Sequence, residues 1–220
     1  MKIFRFFIFL VSVNFYAQVS ANEVSFKTTD NAQIYADFQL RGSHAVLLAH
    51  GAIFNKESWG DFEQRLLKKN YTVLAIDFRG YGKSTSGDIP RALYQDILAG
   101  VKFLRSQQGI TQVAVLGASM GGAAAAKASV NSDPDAIDQL ILLSPAQVYK
   151  PEKIKGNLLM IASKDEYLAK AIIASFDKAP EPKLLKLIEG NAHAQHIFKT
   201  PQAEELTRII IQFLESSKLQ

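Results

Sequence analysis

The sequence of 220 residues contains no cysteine. Disulfide bonds therefore contribute nothing to its stability, and a lipid anchor attached through a cysteine is excluded. A chain of this length can bury a sizeable hydrophobic core. We therefore expect the fold to be held together by its core alone.

The chain also lacks any block of like charge. Its 25 lysines and arginines against 21 acids give a net charge of +4, which falls to +2 without residues 1–21, because Lys2 and Arg5 have no acidic counterpart there. So small a surplus does not indicate nucleic acid or an anionic membrane as a partner. Repeats and low-complexity segments are absent apart from the alanines at 123–126, which argues against a solenoid or a disordered chain.

No hydrophobic run is long enough for a spanning helix, which needs about 20 apolar residues. The amino-terminal segment instead opens with two cations, continues with an apolar stretch over about 6–17 and ends with small residues at Val19 and Ala21. That order is typical of a secretory signal peptide. We therefore expect residues 1–21 to be a cleaved signal and residues 22–220 to form an exported domain, periplasmic or secreted, with no stable membrane span.

Strand-like and helix-like patterns alternate along the rest of the chain. "VSFKTTD" and "QIYADFQL" flank Asp30-Asn31 and predict a β-hairpin. Helical periodicity covers residues 89–106, where Pro90 suits the first turn, and resumes from Pro201 onward. The strand-length apolar runs typical of strands buried on both faces are "AVLLAHG", "YTVLAIDFRG", "VAVLGAS", "LILLSPA", "NLLMIASKD" and "KLLKLIEG".

This alternation predicts an α/β fold with a mostly parallel sheet, an amino-terminal antiparallel hairpin and helices on both faces. No linker divides residues 22–220, so we expect one domain. Only about ten residues separate "LILLSPA" from "NLLMIASKD", too few for an inserted cap domain. Ligands bind such sheets at the carboxyl ends of the strands, where the polar motifs of this chain also fall.

The segment Gly117-Ala118-Ser119-Met120-Gly121 fits the pattern G-x-S-x-G between a strand and a helix, the context of a nucleophile elbow. In so sharp a turn, a Cβ atom at Gly117 or Gly121 would clash with neighbouring chain. The helix that follows directs partial positive charge toward the serine. A glycine-rich joint without chemistry would look the same, so this motif alone leaves both interpretations open.

A serine nucleophile needs a base, and the base needs an orienting acid. "IASKDEYL" places Asp165 just past one strand, and "EGNAHAQHIF" places His193 just past the next. This gives the chain order nucleophile, acid, base. Glu166 and His196 are the rivals for the two roles. We favour Asp165 over Glu166 because aspartate is the usual acid and stands nearer the strand end.

Together with "LLAHGAIFNKESW" after the third strand and "DFRGYGKS" after the fourth, these motifs resemble the α/β-hydrolase superfamily over essentially the whole of residues 22–220. The family's small-residue approach to its histidine is similar to "GNAH", which favours His193 over His196. The site residues that the resemblance implies are the nucleophile Ser119, the acid Asp165, the base His193 and the backbone N–H groups of Ala52 and Met120 as oxyanion hole.

The remaining polar residues of these loops have structural roles in the family pattern. Asp77, Arg79 and Ser84 are expected to hold their loop in shape. His50 is expected to support the loop that contains Gly51 and Ala52, the oxyanion loop. "GYGKST" resembles the end of a phosphate-binding loop, but Asp77 occupies the position of its first glycine and would repel phosphate. His44, before the third strand, is expected on the surface.

The resemblance implies a serine hydrolase that needs no metal or other cofactor and cleaves carboxylic esters through an acyl-enzyme, with thioesters and amides as further substrates. Its substrate would be a small molecule or a lipid or polymer ester. Two alternatives stay open: a hydrolase-like binding protein without turnover, and an acyltransferase or perhydrolase using the same triad. The aromatic residues expected to line an open substrate pocket are Phe54, Trp59, Tyr81 and Tyr149.

Overall fold

The computed structural model describes residues 22–216; the predicted signal peptide lies outside the described residues. Eight strands form one sheet in the order β1-β2-β4-β3-β5-β6-β7-β8. The strands are β1 Asn22–Lys27, β2 Gln33–Gln39, β3 His44–Ala49, β4 Thr72–Ile76, β5 Gln112–Ala118, β6 Gln139–Leu143, β7 Asn157–Ser163 and β8 Lys183–Ile188. The helices are α1 Gly60–Lys68, α2 Leu93–Arg105, α3 Met120–Asn131, α4 Ala169–Lys178 and α5 Ala203–Ser216.

The predicted mixture of strand directions is confirmed. β1 and β2 form the amino-terminal hairpin, and β2 also runs antiparallel to β4. From β3 to β8 every neighbouring pair is parallel. All six parallel strands therefore end at the same edge of the sheet, where the loops that follow them meet.

The core consists of two apolar layers, one on each face of the sheet. Side chains of α1 and α5 pack on one face, and side chains of α2, α3 and α4 pack on the other. Strands β3 to β7 are buried on both faces as expected, apart from the first residue of some strands. The same expectation is wrong for β8, because this strand lies at the edge and leaves Leu184 and Leu187 exposed.

Two local expectations also need correction. The helix expected from Pro90 begins only at Leu93, because the segment before it is held in a turn: Arg79 donates to the Ile89 carbonyl, and the Ile89 N–H donates to Asp30. His44 is buried rather than on the surface, since its ring packs at 5.1 Å from the ring of Tyr71.

The edge that carries the polar loops is open. Residues 144–156, which connect β6 to β7, contain only the short 3-10 helix Pro151–Lys153, so the described part of the chain has no cap domain. Within residues 22–216 no helix is both long enough and apolar enough to cross a bilayer.

Candidate active site

Ser119 stands at the turn between β5 and α3 with φ 51° and ψ −111°, a backbone conformation that a non-glycine residue rarely adopts. The turn is closed by backbone: a Cβ on Gly117 would lie 2.3 Å from the Gly121 carbonyl oxygen, and one on Gly121 would lie 2.2 Å from that of Ala49. Hydrogen bonds fix the serine itself, whose N–H donates to Leu143 and whose carbonyl accepts from Ala146. The glycines therefore make the strained turn possible.

Three side chains from three loops form a continuous hydrogen-bonded relay. The Ser119 hydroxyl lies 2.9 Å from Nε2 of His193. On the other side of the ring, Nδ1 of His193 lies 2.6 Å from Oε2 of Glu166. The Glu166 side chain is fully buried, while that of His193 is about a quarter exposed. A ring that donates from Nδ1 to a carboxylate presents Nε2 as the acceptor for the serine proton.

The acid in this relay is Glu166, and the expectation of Asp165 is wrong as to position. The Asp165 backbone N–H is bound to the Gly190 carbonyl, and its side chain is exposed. Glu166, one residue further round the turn, is buried and points back to the sheet. Its Oε1 accepts hydrogen bonds from the Ser144 hydroxyl at 2.5 Å and from the Ser163 N–H at 2.9 Å. Both carboxylate oxygens are thus engaged, which holds the acid in one orientation.

The predicted oxyanion loop lies beside the serine. A Cβ on Gly51 would stand 3.6 Å from Cβ of Ser119, so the loop approaches the nucleophile closely. Met120 is the first residue of α3, where the N–H has no intrahelical acceptor. The Tyr81 hydroxyl donates to the Ala52 carbonyl at 2.8 Å. This bond fixes the peptide unit that follows Ala52.

Gln195 links the oxyanion loop to the histidine loop, a role for which the sequence gives no signal. Its side chain is buried; Oε1 accepts the Gly51 N–H at 2.8 Å, and Nε2 donates to the Ser58 hydroxyl at 2.9 Å. Ser144, also missed, could have been suspected from its place directly after β6, at the same edge as the other motifs. Through the Gln195 hydrogen bond, Gly51, the residue before Ala52, is therefore held by the loop that carries His193.

His50 supports the oxyanion loop from below, as expected. It is fully buried, with Nδ1 2.8 Å from the Gly51 carbonyl and Nε2 accepting from the Phe78 N–H at 3.3 Å. Burial lowers the pKa of this imidazole despite the nearby Asp77 carboxylate, and burial raises the pKa of Asp77. Both ring nitrogens face backbone groups, so His50 has a structural role.

The expected loop-holding residues also make structural contacts. Asp77 accepts the Lys56 N–H at 2.9 Å, and the Ser84 hydroxyl donates to the Asp77 carbonyl at 2.7 Å. Arg79 is buried between Asp30 and Asp96. No group of three or more potential metal ligands occurs among residues 22–216. Of the two candidate histidines, His196 is exposed and stacks its ring near Phe54, away from this relay.

The four aromatic residues proposed as pocket lining have different environments. Tyr149 lines a groove of about 420 Å³ that also includes Met120. Tyr81 braces Ala52 as described, and Phe54 packs against His196 outside the groove. The expectation for Trp59 is wrong: only 3% of it is exposed, and its ring packs with Phe62 and Phe198 in the core. Trp59 is the last residue of the 3-10 helix Lys56–Trp59, and its side chain points into the core.

A family model described as serine aminopeptidase S33 matches residues 42–196, more than half of the chain. The uncharacterized protein YfhR of Escherichia coli K12 is 25% identical over 166 residues, covering 73% of this chain and 56% of YfhR. Dipeptidyl aminopeptidase BIII of Pseudoxanthomonas mexicana is 34% identical over 89 residues, covering 35% of this chain and 13% of that enzyme. This chain thus spans little more than half of one of these curated relatives and a small part of the other.

Solved structures share the fold along nearly the whole described chain. The esterase Pf2001 of Pyrococcus furiosus superimposes with a TM-score of 0.73 at 21% identity, covering 89% of this chain and 90% of its own. Est1E of Butyrivibrio proteoclasticus, with bound ferulic acid, gives 0.75 at 17% identity, with coverages of 90% and 100%. The relay of three loops, the sheet that presents it and the matching family model lead to one conclusion: the chain belongs to the S33 serine aminopeptidase family of α/β hydrolases.

Proposed function

We propose that this protein is a serine hydrolase that cleaves carboxylic esters through an acyl-enzyme. The observation that carries the proposal is the unbroken relay from Ser119 through His193 to the buried carboxylate of Glu166. A serine hydroxyl is a weak nucleophile by itself, and this arrangement provides both the base and the acid that orients the base. Glu166 takes the role that the sequence assigned to Asp165.

In the proposed reaction His193 Nε2 accepts the Ser119 proton while Oγ forms a bond to the ester carbonyl carbon. The resulting tetrahedral oxyanion accepts hydrogen bonds from the N–H groups of Met120 and Ala52, each worth about 3 kcal/mol in such sites. His193 then gives its proton to the departing alcohol as the carbon–oxygen bond breaks. Glu166 holds the Nδ1 proton and stabilises the imidazolium that exists between the two transfers.

The second half of the reaction repeats these steps with water. His193 accepts a proton from a water molecule as the water oxygen attacks the acyl carbon. The bond to Ser119 Oγ then breaks, the serine recovers its proton from His193, and the carboxylic acid leaves. The open edge of the sheet admits water directly, because residues 144–156 place no cap over it.

Esters are proposed ahead of amides because solved structures with this fold include two named as esterases, Pf2001 of Pyrococcus furiosus and EaEST of Exiguobacterium antarcticum. The family description and the relative dipeptidyl aminopeptidase BIII make peptide amides the main competing class. Both classes use the same nucleophile. The experiment therefore has to compare them on one protein.

The test is to treat the full chain with a fluorophosphonate probe, and then with aryl esters of increasing acyl length and aminoacyl arylamides. We expect labelling at Ser119 and ester turnover that falls by about a thousandfold or more in Ser119→Ala. Ser106→Ala, which changes an exposed serine at the end of α2, is the matched control and should behave as wild type.

Each other outcome contradicts the proposal in a distinct way. No labelling and no turnover would indicate a hydrolase-like binding protein. Faster cleavage of the arylamides than of the esters would indicate a peptidase. Acyl transfer to an added alcohol or peroxide in preference to water would indicate an acyltransferase or a perhydrolase.

A further inference from the structure

A groove of about 420 Å³ begins at Met120, the residue after Ser119, and runs along α3. Met120 and Ala146 line it, and both are directly connected with Ser119, the first by sequence and the second through a 3.0 Å backbone hydrogen bond. Along α3 the lining continues through Ala123 and Ala124 to Lys127, residues that share one face of the helix. Either the acyl part or the alcohol part of an ester bound at Ser119 would therefore lie in this groove.

The far end of the groove is cationic. Among residues 22–216, Lys127 and Arg91 are the only charged residues that line it, and none of its lining residues is a carboxylate. The Lys127 ammonium lies 4.4 Å from the ring centre of Tyr94 and 5.6 Å from that of Tyr149. Two aromatic rings thus hold the ammonium at the groove without neutralising it.

The two arginines that the structure buries or half-buries outside the groove are paired with acids. Arg79 lies between two carboxylates, and Arg105 is bound by Asp138. Positive charge also accumulates beside the groove: a hydrogen bond from Lys150, together with the charges of Lys127 and Lys153, lowers the pKa of the Tyr149 hydroxyl. The groove is therefore a local excess of positive charge on a chain whose net charge is small.

We propose that this groove selects esters that carry an anionic group remote from the scissile bond, with Lys127 and Arg91 as the specificity-determining residues. The inference rests on the proposed esterase function and names its substrate class. Lys127 is seven residues beyond Met120, or about 10 Å along the helix axis. The anion must therefore be separated from the reacting carbonyl by a chain of several bonds, whose apolar part would lie against Met120 and Ala123.

The test uses monoaryl esters of succinic, adipic and suberic acid, each beside a neutral counterpart in which the terminal carboxylate is a carboxamide of the same shape. A second arm places the same two end groups on the alcohol, in acetyl esters of hydroxyalkanoic acids and of their amides. We expect one arm to show a preference for the carboxylate of about tenfold in kcat/KM, greatest for a longer chain and reduced by added salt.

Lys127→Met should reduce that ratio to about twofold, because it removes the ammonium charge on α3 and keeps a side chain of similar length. Lys127→Arg should restore most of the preference, and Arg91→Gln should lower it in part. Lys68→Met, which removes an exposed lysine in the last turn of α1, is the control and should leave the ratio unchanged. Circular dichroism and thermal melting verify that each variant is folded.

The proposal is overturned if wild type prefers the carboxylate in neither arm, or if the preference survives Lys127→Met. Turnover of the carboxamide esters that depends on Ser119 separates this failure from that of the esterase function. If no ester of either kind is cleaved, the esterase proposal fails, and the substrate class fails with it.

Discussion

Glu166 shows how the position of one carboxylate depends on the turn that carries it. Asp165 and Glu166 are adjacent after β7, but only Glu166 faces the sheet, where Ser144, Ser163 and His193 surround its two oxygens. A buried carboxylate is tolerated when its oxygens are fully hydrogen-bonded. Its longer side chain also provides the reach that a position one residue further from the strand requires.

At the residue scale we predict that Glu166→Gln lowers kcat for aryl esters by about a thousandfold or more, because the amide no longer fixes the His193 tautomer or stabilises the imidazolium. Ser144→Ala, which leaves one Glu166 oxygen with a single donor, should have a smaller effect of about tenfold. The measurement is kcat and KM at several pH values for each variant.

Asp165→Asn is the control, since it changes the neighbouring and exposed carboxylate by the same chemistry. It should keep activity within about twofold of wild type. The assignment of the acid is wrong if Asp165→Asn is the more damaging of the two substitutions.

At the scale of elements, the proposed catalysis depends on loops that follow different strands and are far apart in the chain. The histidine loop follows β8, and the oxyanion loop follows β3. Gln195 connects them by accepting the Gly51 N–H and donating to Ser58, while Tyr81 holds the Ala52 carbonyl from the loop after β4. The geometry of the proposed oxyanion hole therefore depends on side chains that would touch no substrate atom.

We predict that Gln195→Leu lowers kcat by about tenfold to a hundredfold with a smaller change in KM, because a loosened oxyanion donor weakens transition-state stabilisation. Gln195→Glu keeps an acceptor for the Gly51 N–H and should retain more activity than Gln195→Leu. Gln212→Leu, on the surface of α5, is the control. Equal losses of activity in Gln195→Glu and Gln195→Leu, or a loss confined to KM, would contradict this positioning role.

At the scale of the whole molecule, a buried ionic cluster joins the turn of the amino-terminal hairpin to the loop after β4 and to α2. Arg79 follows β4 and donates to Asp30 in the hairpin turn and to Asp96 in α2. Hydrogen bonds from Arg79 lower the pKa of Asp30 well below its ordinary value of 3.8, against the opposing effect of burial. Removing the Asp30 charge leaves Arg79 paired with Asp96 alone and weakens two buried charge-assisted hydrogen bonds.

We predict that Asp30→Asn lowers the free energy of unfolding by about 2 kcal/mol at about pH 7, because the amide weakens the hydrogen bonds to Arg79. Because the folded-state pKa of Asp30 is depressed, its stabilisation is present above the unfolded value of 3.8 and is lost as pH falls below it. The difference between wild type and variant should therefore shrink at about pH 3. Urea titrations at both pH values measure this difference.

Glu204→Gln, which removes the exposed partner of Arg65, is the control for that experiment. Exposed ion pairs contribute little, so this variant should unfold with wild type at either pH. A pH-independent loss in Asp30→Asn would mean that packing, rather than the charge of Asp30, stabilises the hairpin.

The succession of strands and helices along the chain and the sharp glycine turn at Ser119 follow from local patterns of the sequence. Apolar runs buried on both faces predict parallel strands, and parallel strands deliver their following residues to one edge. The glycines around Ser119 predict the sharp turn because only they lack the Cβ atoms that would collide with backbone. These features depend on residues close in the chain, and for that reason the sequence alone predicts them.

The tertiary structure decided what depends on the direction of single side chains. The choice of Glu166 over Asp165, the burial of Trp59 and the bridge made by Gln195 each involve groups from loops far apart in the chain. A shift of one residue along a turn changes which side chain faces the sheet. The types of the residues in the turn do not determine the direction of each side chain. The sequence determined that a serine, an acid and a histidine would meet at one edge; only packing determined which acid meets the histidine.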